Sequence, residues 1–148
     1  MRIFYKYPKY PIFAMADTKS NIAAKLEGTT LQIVKHIIKI YLYPEHPAVN
    51  HWKTEVYGFL HTIPRIKRKN TFPTKEFILQ ETIGVNRSVI PLWVENVVDD
   101  YGESDRDASN VMAAIEDYYS MLAEELSHRG DISKQKVYAK LTEIQNLR

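Results

Sequence analysis

The sequence predicts an all-α fold: a single-domain bundle of about six or seven helices with an extended aromatic arm at its N-terminus. Three observations carry that prediction. Apolar residues recur every third or fourth position through most of the chain, the spacing that lines one face of a helix. Capping residues and helix stoppers bracket those runs. Alternating apolar and polar runs are short and lie beside prolines, which remove a donor from any sheet ladder. At 148 residues the chain is long enough for one domain with its own core. Its 45% apolar and 26% charged residues are the composition of a folded globular protein.

The arm is residues 1–13, MRIFYKYPKYPIF, with the helical domain at 14–148. Two prolines fix their own backbone angles and disfavour helix in the residues before them. Phe4, Tyr5, Tyr7, Tyr10 and Phe13 are too apolar to dangle in water, so the arm should lie on its own domain or on a partner.

A first helix is predicted over 18–27, capped by Asp17, with Ile22, Ala23 and Leu26 on one stripe and Gly28 as its stop. Thr29 or Thr30 then caps a second helix over 31–43. Leu31, Ile33, Val34, Ile37, Ile38, Tyr41 and Leu42 cover more than half of its circumference, which places it at the centre of the bundle. Pro44 and Pro47 force a loop. Asn50 caps the next helix, which runs to about Ile63. It carries Trp52, Val56, Phe59, Leu60 and Ile63 inward, and Pro64 ends it. Gly58 sits in its interior at a cost of ~1 kcal/mol relative to Ala; close approach of a neighbouring helix would compensate.

Thr74 caps a short helix over 75–83, stopped by Gly84. Ser88 caps the following one, which places Pro91 in its first turn, where the missing N–H is harmless. Ile90, Trp93, Val94, Val97, Val98 and Tyr101 form its buried face, and Gly102 ends it. After the polar loop 103–107, Ser109 opens a longer helix to Arg129 with Gly130 as its left-handed stop. Asp131 or Ser133 caps a last amphipathic helix carrying Val137, Tyr138, Leu141, Ile144 and Leu147, free to protrude or to pair with a neighbour.

Charge is divided along the chain. Residues 1–75 hold 13 Lys or Arg against 4 Asp or Glu, a net of +9. Residues 76–148 hold 7 against 14, a net of −7. Halves that pack together can neutralise each other; halves that stay open present the division to a partner. There is no cysteine, which excludes disulfides, thiolate metal sites and cysteine nucleophiles. Ala14-Met15-Ala16 has the small residues of a signal cleavage site, but Lys6, Pro8, Lys9 and Pro11 interrupt the apolar run before it. No uncharged apolar run approaches the ~20 residues of a membrane helix. The expectation is a cytoplasmic, soluble protein with no membrane contact.

The five glycines never cluster, so neither a P-loop nor a dinucleotide fingerprint is present. No cofactor is expected. The leading functional expectation is a non-enzymatic protein-interaction module, binding a protein partner or a second copy of itself. Its candidate residues are Tyr5, Tyr7 and Tyr10 on the arm, with Tyr118, Tyr119 and Glu124 on the acidic half. Tyrosines set among carboxylates suit a basic partner. The alternative is nucleic-acid binding by the basic loop Arg65, Lys67, Arg68 and Lys69, whose four charges can neutralise phosphates, with the arm tyrosines stacking on bases.

A further alternative is a metal-dependent enzyme. His51 and Glu55 stand i, i+4 on one helix face, with His36 one helix earlier and His46 in the loop between; imidazoles with a carboxylate suit zinc or iron. Glu125 and His128 have the spacing of helical di-iron sites, but those need a second such pair. Glu95 and Asp99, also i, i+4, lie opposite the apolar face and should meet water.

Overall fold

A computed structural model describes residues 11–61, 63 and 72–147, with side chains from residue 24 onward. It is mostly helical, and no strand occurs among the described residues. Six helices follow one another: α1 (Pro11–Leu42), α2 (Val49–Leu60), α3 (Lys75–Leu79), α4 (Ile90–Tyr101), α5 (Val111–Arg129) and α6 (Lys134–Gln145). A π-helical turn, Gln80–Gly84, extends α3, and a 3₁₀ turn, Ala108–Asn110, leads into α5. Residues 1–10 of the arm lie outside the described residues; Pro11 occupies the first turn of α1, a position where its fixed angle suits a helix.

The main departure from the sequence reading is α1. The two helices predicted on either side of Gly28 are one helix of 32 residues. Gly28 is exposed inside it, and Thr29 and Thr30 do not cap. The Thr29 hydroxyl donates to the carbonyls of Lys25 (3.0 Å) and Leu26 (3.2 Å), and that of Thr30 donates to Leu26. Threonine bonded back to the preceding turn is compatible with a continuing helix. The decisive cause is phase. Buried Leu26, Thr30, Ile33, Val34, Ile37, Ile38 and Tyr41 keep one stripe at three- and four-residue spacing across the glycine, so a break there would move half of the stripe off the core. The buried area outweighs the ~1 kcal/mol that Gly costs in a helix. As its composition predicts, α1 is central: it packs on α2, α4, α5, α6 and the π turn.

Asn50 is not the cap of α2. The helix starts one residue earlier, at Val49, with no side chain capping it; the His46 Nδ1 accepts the N–H of Ala48, the residue before the helix, at 3.0 Å. Gly58 is exposed, and a Cβ there would meet no described atom within 4 Å, so no close helix approach compensates it.

Gly84 does not stop the following helix either; it lies in the π turn. A Cβ at Gly84 would fall 2.6 Å from the mobile end of the exposed Gln80 side chain and 3.3 Å from the Leu79 carbonyl oxygen. The wider turn changes the carbonyl partners, and side chains supply some: the buried Thr82 hydroxyl donates to Ile78 (2.8 Å) and the Asn86 amide to Thr82 (2.6 Å). Thr74 caps α3 as predicted, accepting the Phe77 N–H.

Gly102 and Gly130 do end their helices, at φ of 96° and 70°, a region that favours glycine. The cap before α5 is Asp107 rather than Ser109: the Asp107 carboxylate accepts the Ser109 N–H at 2.9 Å. Ser133 caps α6. Far from protruding, α6 is docked on α1, α2 and α5, with Val137, Leu141 and Ile144 fully buried.

Two helices treat their apolar residues differently. In α5 Val111, Ile115, Tyr118, Tyr119, Leu122 and Leu126 are buried, and Met112 is partly covered. In α4 only Ile90 and Val97 are buried. Trp93, Val94 and Val98 are half-covered, Tyr101 is exposed, and Leu92 is 55% exposed.

The loop before α5 holds the end of the bundle together. The Arg106 guanidinium donates to the Tyr41 carbonyl (3.1 Å) and the Ile144 carbonyl (3.4 Å), and lies 5.2 Å from the Tyr41 ring centroid. A cation thus satisfies the last carbonyls of both α1 and α6, where the helix dipoles are negative. Ser104 donates to the Leu42 carbonyl, and the Gln145 amide to that of Pro44 at 2.7 Å.

Candidate functional site

The structure brings the histidine–glutamate set together. His36, on α1, is buried, with the edge of Phe59 packed against its ring at 5.3 Å. Its Nε2 lies 2.8 Å from Glu55 Oε1 on α2, and its Nδ1 2.6 Å from the Gln32 carbonyl. His51, exposed one turn before Glu55, reaches the other carboxylate oxygen at 3.4 Å. Both nitrogens of His36 therefore lie within hydrogen-bond reach of an oxygen. The hydrogen bond from His36 holds the Glu55 carboxyl below its ordinary range, and the charges of His36, His51 and Lys39 add to the effect. The His36–Glu55 hydrogen bond joins α1 to α2. Among the described residues, no group of three or more His, Asp or Glu is placed to hold a metal. His46 is engaged elsewhere, accepting the Ala48 N–H and stacking on Trp52. Glu125 and His128 do not converge: Glu125 meets Arg129 and Lys136, while His128 meets Glu124.

The predicted interaction residues divide. Tyr5, Tyr7 and Tyr10 lie outside the described residues, as do Arg65, Lys67, Arg68 and Lys69. Tyr118 and Tyr119 are not at a surface. Both are fully buried and meet edge to face at 5.4 Å. The i, i+1 pair lies inside because α5 is covered on two sides, by α1 and by α3. Neither hydroxyl has a hydrogen-bond partner among the described residues. Burial pushes both phenols well above the usual range, and for Tyr119 the nearby Thr30 hydroxyl offsets part of the shift. Glu124 is exposed but paired, with Lys75 at 3.3 Å and His128 at 3.1 Å. Lys75–Glu124 is the ion pair among the described residues that joins the basic half to the acidic half. The halves are fastened instead by apolar packing and by bonds such as Lys53 Nζ to Thr142 (3.2 Å). Burial lowers the Lys53 pKa.

Two sites stand out that the sequence reading did not single out. The first is a groove between the start of α4 and the start of α5, a cavity of about 360 Å³ lined by Ile90, Pro91, Val94, Ala108, Val111 and Met112. Exposed Leu92 lies beside it on α4, and Val85, 48% exposed, precedes that helix in the chain. The water side of α4 carries Glu95, Asp99 and Asp100, all exposed and none in an ion pair among the described residues; as predicted, Glu95 and Asp99 face solvent.

The second is an aromatic corner at the opposite end of α4. Trp52 and Tyr101 stand nearly perpendicular, 5.6 Å apart. His46 stacks on Trp52 at 4.7 Å and meets Tyr101 at 5.6 Å, and Tyr43 packs on Tyr101 at 5.5 Å. Tyr43 donates to the Gly102 carbonyl, and burial followed by the neighbouring Tyr101 raises its pKa. Tyr43, His46 and Trp52 lie within ten residues of one another, and Tyr101 joins them from a distant stretch of chain, so no local spacing announces the cluster.

Comparison of the chain with models of protein families, with curated proteins and with solved structures finds no match. Among the described residues, no helix is long and apolar enough to cross a membrane.

Proposed function

We propose that the chain is a non-enzymatic protein-interaction module that associates with a second copy of itself, seating residues 1–10 of one copy in the α4–α5 groove of the other. The carrying observation is apolar surface left in water on α4: Leu92 is 55% exposed and follows Pro91, which lines a cavity walled almost entirely by apolar side chains. Apolar residues gathered around a groove, with charges at the rim, are the usual pattern of a binding surface. Charge supports this occupant. Residues 1–10 carry Arg2, Lys6 and Lys9 with no acid, and four aromatic rings. The receiving helix α4 carries Glu95, Asp99 and Asp100 with no base. Aromatic anchors in an apolar groove, with opposite charges on the solvent side of the receiving helix, give affinity and register together.

Size-exclusion chromatography with light scattering tests the proposal. The full chain should run as a dimer at about 100 µM, the level at which a micromolar Kd saturates. Deleting residues 1–10, or making Leu92→Glu, should each yield a monomer with unchanged circular dichroism. A full-length monomer at that concentration overturns the reading, and a dimer that survives both changes removes the arm and groove from it.

A further inference from the structure

We propose that the aromatic corner, together with the cavity beside it, binds an aliphatic polyammonium ion, and that Lys39 is the internal cation this ligand competes with. The corner already holds an ammonium group. Lys39 Nζ lies 5.3 Å from the Tyr101 ring centroid and 5.6 Å from that of Trp52. Aromatic faces carry negative charge density and attract cations at this distance, the arrangement that also recognises ammonium ligands. Among the described residues Lys39 has no carboxylate within 4 Å, so the rings hold its head without a salt bridge and a flexible four-carbon stem lets it leave.

A ligand has a place to enter. Tyr43 and His46 belong both to the ring cluster and to the wall of a cavity of about 480 Å³, which residues 103–106 close on the far side. Exposed Glu45, Glu103 and Asp105 stand around it, unpaired among the described residues. Arg106 also lines the cavity, but its guanidinium is taken by the Tyr41 and Ile144 carbonyls. His46 Nδ1 accepts the Ala48 N–H, the pattern of a neutral ring carrying its proton on Nε2. Rings and carboxylates around one cavity match a chain with an ammonium at each end: one charge over the aromatic faces, the next among the acids. An anion or a neutral sugar finds no such match.

The experiment follows Trp52 fluorescence in a Trp93→Phe background, where Trp52 is the remaining tryptophan, while spermidine is titrated at low salt. A saturable change with half-saturation below about 1 mM is expected. Lys39→Met keeps the stem and removes the charge, and should tighten binding several-fold. Glu45→Gln, Glu103→Gln and Asp105→Asn combined should weaken it by about tenfold and flatten its salt dependence. Tyr101→Leu, at a partly exposed position that spares the core, should abolish the response. No saturable change in either the Trp93→Phe protein or its Lys39→Met derivative overturns the site. Binding indifferent to the carboxylate changes or to Tyr101→Leu overturns the assignment of its residues. Weaker binding in Lys39→Met overturns the competition.

Discussion

Helices α4 and α5 are both rich in apolar side chains, yet they end in different places. Eight of the 19 residues of α5 are buried, including two adjacent tyrosines, whereas α4 buries two of its 12. The apolar residues of α4 are no fewer in proportion: Ile90, Pro91, Leu92, Trp93, Val94, Val97, Val98 and Tyr101 make up most of it. The difference is position. α5 lies between α1 and the α3 segment and also meets α6, so its circumference is covered from several sides. α4 is laid chiefly along α1, and one contact line buries one narrow stripe. Apolar content measures how much a helix stands to gain from burial; the number of neighbours sets how much of that gain is taken. What α4 leaves uncovered is the surface proposed here for association.

The largest effect that can break this comparison is truncation in the two helices. Ile115, fully buried on α5, should lose about 3 kcal/mol of stability as Ile115→Ala. Leu92→Ala on α4 should stay within about 0.5 kcal/mol. Urea denaturation at low protein concentration, where association does not contribute, measures both; similar losses would mean α4 is seated as deeply as α5. Next is the loop between them. Arg106→Ala leaves carbonyls of α1 and α6 without their charged donor and should cost about 2 kcal/mol. Arg106→Lys should recover only part, because lysine lacks the planar fork that reaches two acceptors; full recovery would reduce Arg106 to a point charge. The smallest effect has the opposite sign. The Tyr118 hydroxyl is buried without a partner among the described residues, so Tyr118→Phe should leave thermal stability unchanged or raise it by up to about 1 kcal/mol. A clear loss would show that the hydroxyl is satisfied after all.

Much of the helical layout was legible because its signals are local. Thr74 and Ser133 cap where their spacing predicts, and Gly102 and Gly130 stop their helices through a backbone conformation that glycine adopts readily. Gly28 and Gly84 carry the same letter and stop nothing. Glycine permits a break, but whether one occurs depends on the apolar stripe beyond it, and at Gly28 that stripe continues in phase. The candidate sites were less legible. His36, His51 and Glu55 meet as expected because two of them share a helix face and the third sits on the helix packed alongside. Tyr118 and Tyr119 went inside although their neighbours are acidic, since Glu116 and Asp117 point elsewhere on the same helix. The aromatic corner joins residues 39, 43, 46, 52 and 101, and nothing short of packing α4 on α1 brings Tyr101 to the others.

By itself, then, the sequence determined that this chain is helical, where two of its helices are capped and two are stopped, and that the segment 31–43 would lie at the centre, because periodicity and capping act within a few residues. Only the tertiary structure decided which glycines break a helix, which apolar faces stay in water, and which distant rings surround Lys39. Each of those outcomes depends on how many neighbours a helix acquires, a quantity that no single segment carries.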